Sequence, residues 1–196
     1  MVRTERLAVS DDRNGMLVEV APDSVHLERR DLENYVALQR VAQLLDQGDV
    51  LEYWKTAPYL LNFMDDYKLK QAFKSAAGDP GKSAALARSL AESPGLLFPW
   101  AEWRSYSEID PGNPRLRNLL DDTVDSGAWR LLWTPPALPY YSLDGPFADP
   151  RLRQFTKRLI FSGWHVVPKV VASLVSYAAE RRMMLSFERD PDNSPE

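Results

Sequence analysis

The chain contains no cysteine, and its 196 residues include only two histidines, His26 and His165. The lack of cysteine excludes disulfide bonds and thiolate metal sites, and two distant histidines disfavour a conventional zinc site. No run approaches the roughly 20 apolar residues that a membrane-spanning helix needs, and the N-terminal sequence MVRTERLAVSDD has no apolar signal segment. These absences predict a cytoplasmic protein that does not contact a membrane.

Basic residues are concentrated near the C-terminal end, although the chain as a whole carries a net charge of −4. Seven bases and one acid lie between Arg151 and Arg182, so this stretch carries a net charge of +6. A basic region on an acidic body is compatible with phosphate contact. A solvated surface, or a surface that faces an acidic partner domain, explains the same charge pattern.

The middle of the chain, residues 31–127, has the apolar spacing of consecutive helices. Asp31 is predicted to be the N-cap of a helix that runs to about Asp46 and stops before Gly48. Further helices are predicted at 49–64 with an interruption near Pro58, and at 67–77, 82–91, 99–107 and 114–124. Short strands are predicted before this block, at 1–9 and 16–20, so the fold class is mainly α with short β segments.

A proline-rich connector follows at 128–150, where five prolines exclude a regular helix. A strand-turn-helix unit is predicted in 151–196: an apolar strand at Leu159–Phe161, a turn at Ser162-Gly163, and an apolar-striped helix that begins near Pro168. A strand followed by a turn and a helix is the building block of nucleotide-handling α/β domains. A lone strand requires a sheet to join.

Two motifs have simpler explanations than catalysis. Gly81-Lys82-Ser83 matches the end of a phosphate-binding loop, but Ala76 stands where the first glycine belongs, and Pro80 removes an amide. A helix-turn-helix connection fits this segment better. His165 has no matched nucleophile or orienting carboxylate nearby in sequence, and a cap or packing role is more common for such a residue.

The stretch KRLIFSGWHVVPKVVASLVSYAAER resembles the opening of the second motor lobe of Swi/Snf-type superfamily-two helicases. In that family a lysine-led apolar strand ends in Phe-Ser, followed by an aromatic residue and a helix. The matching positions are Lys157, Leu159, Ile160, Phe161, Ser162 and Trp164. The N-terminal segment MVRTERL resembles the arginine-bearing end of the first lobe, and MLVEVAPDSVHLERRDLENYVALQRVAQLL resembles the stretch after it, where a short strand leads into a helix. The segment WTPPALPYYSLDGPFADP resembles the proline-rich connector before the second lobe.

This resemblance implies a helical linker block flanked by pieces of two α/β, RecA-like lobes. Residues 1–30 correspond to the end of the first lobe, 31–127 to the linker, 128–150 to the connector, and 151–196 to the first strand and helix of the second lobe. The P-loop, the acidic Mg²⁺-binding motif and the arginine finger of a working motor have no counterpart in this sequence. The chain is therefore expected to be a fragment that does not hydrolyse ATP alone and holds no cofactor, whereas the intact parent protein binds ATP and Mg²⁺.

The same resemblance places Ser162, Trp164 and Lys169 at the nucleic-acid backbone, and Arg3 and Arg6 near the cleft between the lobes. The expected partners are DNA or RNA and the remaining motor lobes. The alternative is a stand-alone α-helical module that binds protein or nucleic acid, in which Leu159–Phe161 pairs with the N-terminal strands. A small enzyme that uses Lys82 on a nucleotide is a third interpretation.

Overall fold

The computed structural model describes residues 25–131, 142–152, 155–187 and 193. Within these residues the chain is helical, and none of them forms a β-strand. The α-helices are α1 Arg29–Leu44, α2 Leu51–Trp54, α3 Leu60–Phe63, α4 Lys68–Ala77, α5 Pro80–Ala91, α6 Trp100–Arg104, α7 Pro114–Leu120 and α8 Val166–Phe187. Shorter helical turns lie at Pro94–Leu96, Ala128–Arg130 and Gly145–Ala148, and a π-turn at Asp121–Asp125 extends α7.

The prediction of a mainly helical chain is confirmed, and most predicted helices lie within a few residues of their expected positions. The interruption near Pro58 is also correct, because α2 and α3 flank it and Tyr59 adopts a left-handed backbone conformation with φ 53°. The expected N-cap of α1 is wrong. Glu28 occupies that position, while Asp31 lies one turn inside the helix and accepts a hydrogen bond from the Glu28 amide at 2.9 Å.

The strand predicted at Leu159–Phe161 is absent: residues 155–165 contain neither helix nor strand. A strand is defined by its hydrogen bonds to a neighbouring strand, and no described residue forms a backbone–backbone hydrogen bond with the segment 157–163. The strands predicted at 1–9 and 16–20 lie outside the described residues, as does most of the connector between Leu131 and Ser142.

One hydrophobic core holds the helices together. Val41 of α1, Met64 after α3 and Leu69 of α4 are almost completely buried in it. The long helix α8 joins the same core through Val166, Val167, Val170 and Leu174. The helix that the sequence assigned to a second lobe therefore packs directly on the helical block.

Candidate functional site

A surface groove lies beside the segment that precedes α8, and two of the predicted nucleic-acid-binding residues line it. This groove has a volume of about 440 Å³, and both Ser162 and Trp164 line it. Its walls come from α7, the N-terminal half of α8 and the Thr56–Pro58 turn, and include Leu116, Leu119 and Val171. The volume is within the range of pockets that hold small ligands or single side chains of a partner.

Ser162 begins the turn into α8. Its hydroxyl oxygen accepts a hydrogen bond from the Trp164 amide at 3.1 Å, a local contact that fixes the turn. The side chain remains exposed, so its hydroxyl proton is free to donate to a ligand. The structure therefore gives Ser162 a local structural contact and leaves it accessible from the groove.

Trp164 is half-buried and packs in a cluster of aromatic rings. Its ring stacks on Tyr67 with centroids 5.3 Å apart and planes 26° apart, and lies 5.3 Å from the ring of Tyr53 at a steeper angle. Offset-stacked pairs of this kind stabilise cores. This packing orients the indole and uses surface that stacking on a base would also need.

Lys169 lies on another side of α8 from the groove. It follows Val167 by two residues, which corresponds to about 200° around a helix, and Val167 lines the groove while Lys169 is exposed. The structure thus brings Ser162 and Trp164 together but separates Lys169 from them. Arg3 and Arg6, predicted to lie near an interlobe cleft, are outside the described residues.

Several bases of the stretch at 151–182 are matched by acidic groups of the connector and of the helical body. Arg151 pairs with Asp149, Arg158 with Asp122, and Arg182 with Asp125. The Arg158 guanidinium holds the pKa of the Asp122 carboxyl below its usual value through a hydrogen bond. Two other bases, Lys157 and Lys169, are exposed and form no ion pair with any described residue.

Arg115 is a basic residue of the groove that the sequence did not single out. It lies on α7, lines the groove, is exposed, and forms no hydrogen bond or ion pair with a described residue. The other base in the lining, Lys55, pairs with Glu52 at 2.5 Å. The sequence around Arg115 did not indicate that this residue lines a groove, because the groove is formed by segments more than 40 residues apart.

The Gly81-Lys82-Ser83 motif forms the first turn of α5. The Asp79 carboxylate accepts hydrogen bonds from the amides of Gly81 at 2.8 Å and Lys82 at 3.4 Å. These are amides that a phosphate-binding loop would offer to its ligand, and here a carboxylate of the chain already occupies them. The interpretation of this motif as a helix connection fits the structure.

A buried ion network, which the sequence did not indicate, joins α1 to α7. Arg117 donates to the two carboxylate oxygens of Asp31 at 3.0 and 3.3 Å and to Asp110 at 3.2 Å. Asp31 is completely buried. Burial acts to lower the pKa of the Arg117 guanidinium, but the hydrogen bonds and charges of Asp31 and Asp110 outweigh it and raise the pKa.

A tyrosine cluster fastens α8 to the loop after α6. Tyr177 donates its hydroxyl to the carbonyls of Glu102 and Ser107 at 2.9 and 2.7 Å, and Tyr106 donates to the Glu180 carboxylate at 2.8 Å. Burial raises the pKa of both phenols to about 12. Both hydroxyls act as structural donors.

No group of three or more potential metal ligands occurs among the described residues. His165 is exposed. No helix within the described ranges is both long and apolar enough to cross a membrane. Comparisons of the chain with models of protein families, with curated proteins and with solved structures found no match.

Proposed function

We propose that this chain is the helical segment that links the two motor lobes of a Swi/Snf-type nucleic-acid helicase or translocase. The observation that carries the proposal is the exposure of Leu159, Ile160 and Phe161, which are 71%, 45% and 89% accessible. Three consecutive apolar side chains whose backbone forms no backbone–backbone hydrogen bond with a described residue are suited to join a sheet. They precede the Ser162 turn and α8 in the order that the helicase resemblance implies.

In this proposal the helical block sets the relative orientation of the lobes, because α8 packs into the core of that block. The chain itself does not hydrolyse ATP, and the remaining lobes supply the ATP and Mg²⁺ sites and the arginine finger. Leu159–Phe161 then forms a strand of the second lobe, and DNA or RNA is the polymer that the motor follows.

The test is to isolate the protein from its source cells with an antibody against this chain, and to measure polypeptide mass and DNA-stimulated ATP hydrolysis. We expect a band well above 22.3 kDa and ATP hydrolysis that rises when DNA is added. A single band at 22.3 kDa without ATP hydrolysis would contradict the motor assignment.

The roles proposed for Ser162 and Lys169 are tested on that intact protein through the salt dependence of its binding to single-stranded DNA. A lost phosphate contact reduces the slope of log affinity against log salt by about 0.7. Lys169→Glu is therefore expected to weaken binding and flatten the slope, and Ser162→Ala to weaken binding alone. Lys74→Glu, at an exposed base on α4 that forms no ion pair with a described residue, is the matched control. Unchanged affinity and slope in both variants would remove these residues from the DNA contact.

A stand-alone interaction module is the second candidate, and the shared core of α8 and the helical block favours it. A module of this kind unfolds in one cooperative step and stays monomeric or forms a defined oligomer. A piece of a larger sheet exposes apolar surface, binds hydrophobic dye and aggregates. Sedimentation, urea unfolding and dye binding of the purified chain distinguish a stand-alone module from a fragment. Phe161→Ser is expected to reduce dye binding only if Leu159–Phe161 is the exposed apolar surface that binds the dye.

A further inference from the structure

The groove between α7, α8 and the Thr56–Pro58 turn combines an apolar interior with one unpaired positive charge. Ala57, Leu116 and Val167 contribute apolar side chains to it, and Arg115 provides the charge. A second apolar hollow of about 330 Å³ adjoins it and shares Ile160 and Val171 with the first. Ile160 thus stands between two hollows that are open at the surface.

The backbone beside the groove is also unpaired. The segment 157–163 forms no backbone–backbone hydrogen bond with a described residue, and Phe161 is 89% exposed at the rim. An extended chain that lies along this segment gains main-chain hydrogen bonds, while alternate side chains enter the neighbouring hollows. The shape therefore suits an extended peptide rather than a compact small molecule.

The positive charge of the groove lining favours a peptide that carries an acidic residue. The whole chain carries a net charge of −4. Among the described residues, however, the charged lining of this groove consists of Arg115, Lys55 and one acid, Glu52, which pairs with Lys55. A free guanidinium binds a carboxylate through two parallel hydrogen bonds. An acidic residue beside a bulky apolar residue complements both the charge and the apolar interior.

Nucleic acid fits the groove less well. Binding of a single strand requires a track of cations along the phosphates and open aromatic surfaces for the bases. In the part of the chain that the structure describes, one unpaired cation lines the groove, and the Trp164 ring is stacked on Tyr67.

We propose that this groove is a docking site for an extended segment of a partner protein in which an Asp or Glu adjoins a bulky apolar residue. The apolar side chain enters the hollow beside Leu116 and Val167, the carboxylate pairs with Arg115, and the peptide backbone pairs with residues 159–161. The site requires the folded helical body and an accessible segment 159–161, so it is present in the isolated chain and competes with the sheet pairing that the motor assignment gives this segment.

The test uses a displayed library of random twelve-residue peptides and, separately, a fluorescent oligothymidine, each with the full chain. Peptides enriched on the wild type are synthesised and their affinities measured by fluorescence anisotropy. We expect the enriched peptides to contain an acidic residue next to a bulky apolar one. Their affinity is expected to fall about tenfold or more in Arg115→Glu and in Phe161→Ser.

The matched controls are Arg88→Glu, at an exposed base on α5 that forms no ion pair with a described residue, and Phe187→Ser, at an 80% exposed apolar residue at the end of α8. Both are expected to bind the peptides as the wild type does. All four positions are exposed, and unchanged circular dichroism and melting temperatures verify that the variants fold.

The proposal is overturned if no peptide is enriched, if the enriched peptides lack acidic residues, or if Arg115→Glu binds them as tightly as the wild type. Binding of oligothymidine that is lost in Arg115→Glu, with no peptide enriched, would assign the groove to nucleic acid instead. None of these results depends on ATP hydrolysis by the isolated protein, so failure here is distinct from failure of the motor assignment.

Discussion

Removal of Arg117 is expected to destabilise the fold strongly, because it leaves a buried charge without its partner. The Asp31 carboxylate is fully buried, and two of its hydrogen bonds come from the Arg117 guanidinium at 3.0 and 3.3 Å. Breaking a buried ion pair from one side costs about 3–5 kcal/mol. Among the described residues, the Asp31 carboxylate keeps one hydrogen bond, from the Glu28 amide, so we expect Arg117→Ala to cost about 3 kcal/mol, at the lower end of that range.

The loss is measured as the free energy of unfolding in urea, with the melting temperature as a second readout. For a chain of this size, about 3 kcal/mol corresponds to a fall in melting temperature of roughly 6–12 °C. Arg117→Lys keeps the charge but loses the paired geometry, so it is expected to recover only part of the stability. In the double variant Asp31→Asn with Arg117→Ala, the loss is expected to be smaller than the sum of the single losses, because the two residues are partners.

The control is Arg29→Ala, which removes an ion pair of α1 with Glu33 in which the arginine side chain is 92% exposed. An exposed pair of this spacing contributes about 0.3–0.5 kcal/mol. If Arg117→Ala costs no more than this control, the buried network does not stabilise the fold, and the reasoning from burial is refuted.

Three further predictions concern stability. Burial raises the pKa of Tyr59 to about 12, so its contribution to the free energy of unfolding is complete below pH 10 and is lost, by about 2–3 kcal/mol, as the pH rises from 10 towards 12. Urea unfolding from pH 8 to 11.5 should show the free energy of unfolding falling, and Tyr59→Phe should reduce that fall. An equal fall in the variant would contradict the assignment. Met64→Ala is expected to lower the free energy of unfolding by about 2–5 kcal/mol, measured by thermal or urea unfolding, because the side chain is fully buried. An equal loss in the exposed control Met183→Ala would count against the core as described. Asp79→Ala should lower the free energy of unfolding by about 1 kcal/mol through loss of the α5 cap. The control is Asp65→Ala at an exposed position, and a loss no larger than the control's would show that the cap is not stabilising.

Helix positions were predictable where apolar spacing and local capping chemistry agree. The interruption at Pro58 follows from the conformational limits of proline. The helix predicted at 82–91 begins two residues earlier, at Pro80, because the Asp79 carboxylate caps the amides of its first turn. The start of α1 was misplaced, because Asp31 has the chemistry of an N-cap but also serves as the buried partner of Arg117, a residue 86 positions away. Sequence neighbours contain no information about that pairing.

The candidate site was predictable only in part. Ser162 and Trp164 were identified from the turn that precedes α8, and both line the groove. Arg115 was missed, and Lys169 was predicted to act with Ser162 and Trp164 but lies on another side of α8 from the groove. A side chain's direction on a helix follows from the helical period, but which direction meets a groove depends on where other helices pack.

The sequence by itself determined the mainly helical composition, the approximate positions of most helices and the break near Pro58, since these depend on interactions within a few residues. It also determined the unusual apolar segment Leu159–Phe161, whose likeness to a motor strand remains a prediction. Only the tertiary structure decided that α8 shares a core with the helical block and that several bases of the C-terminal stretch form ion pairs. It also decided that Arg115 and Ser162 line the same groove. These outcomes depend on the close packing of distant segments, and distance in space is not encoded in any local pattern of residues.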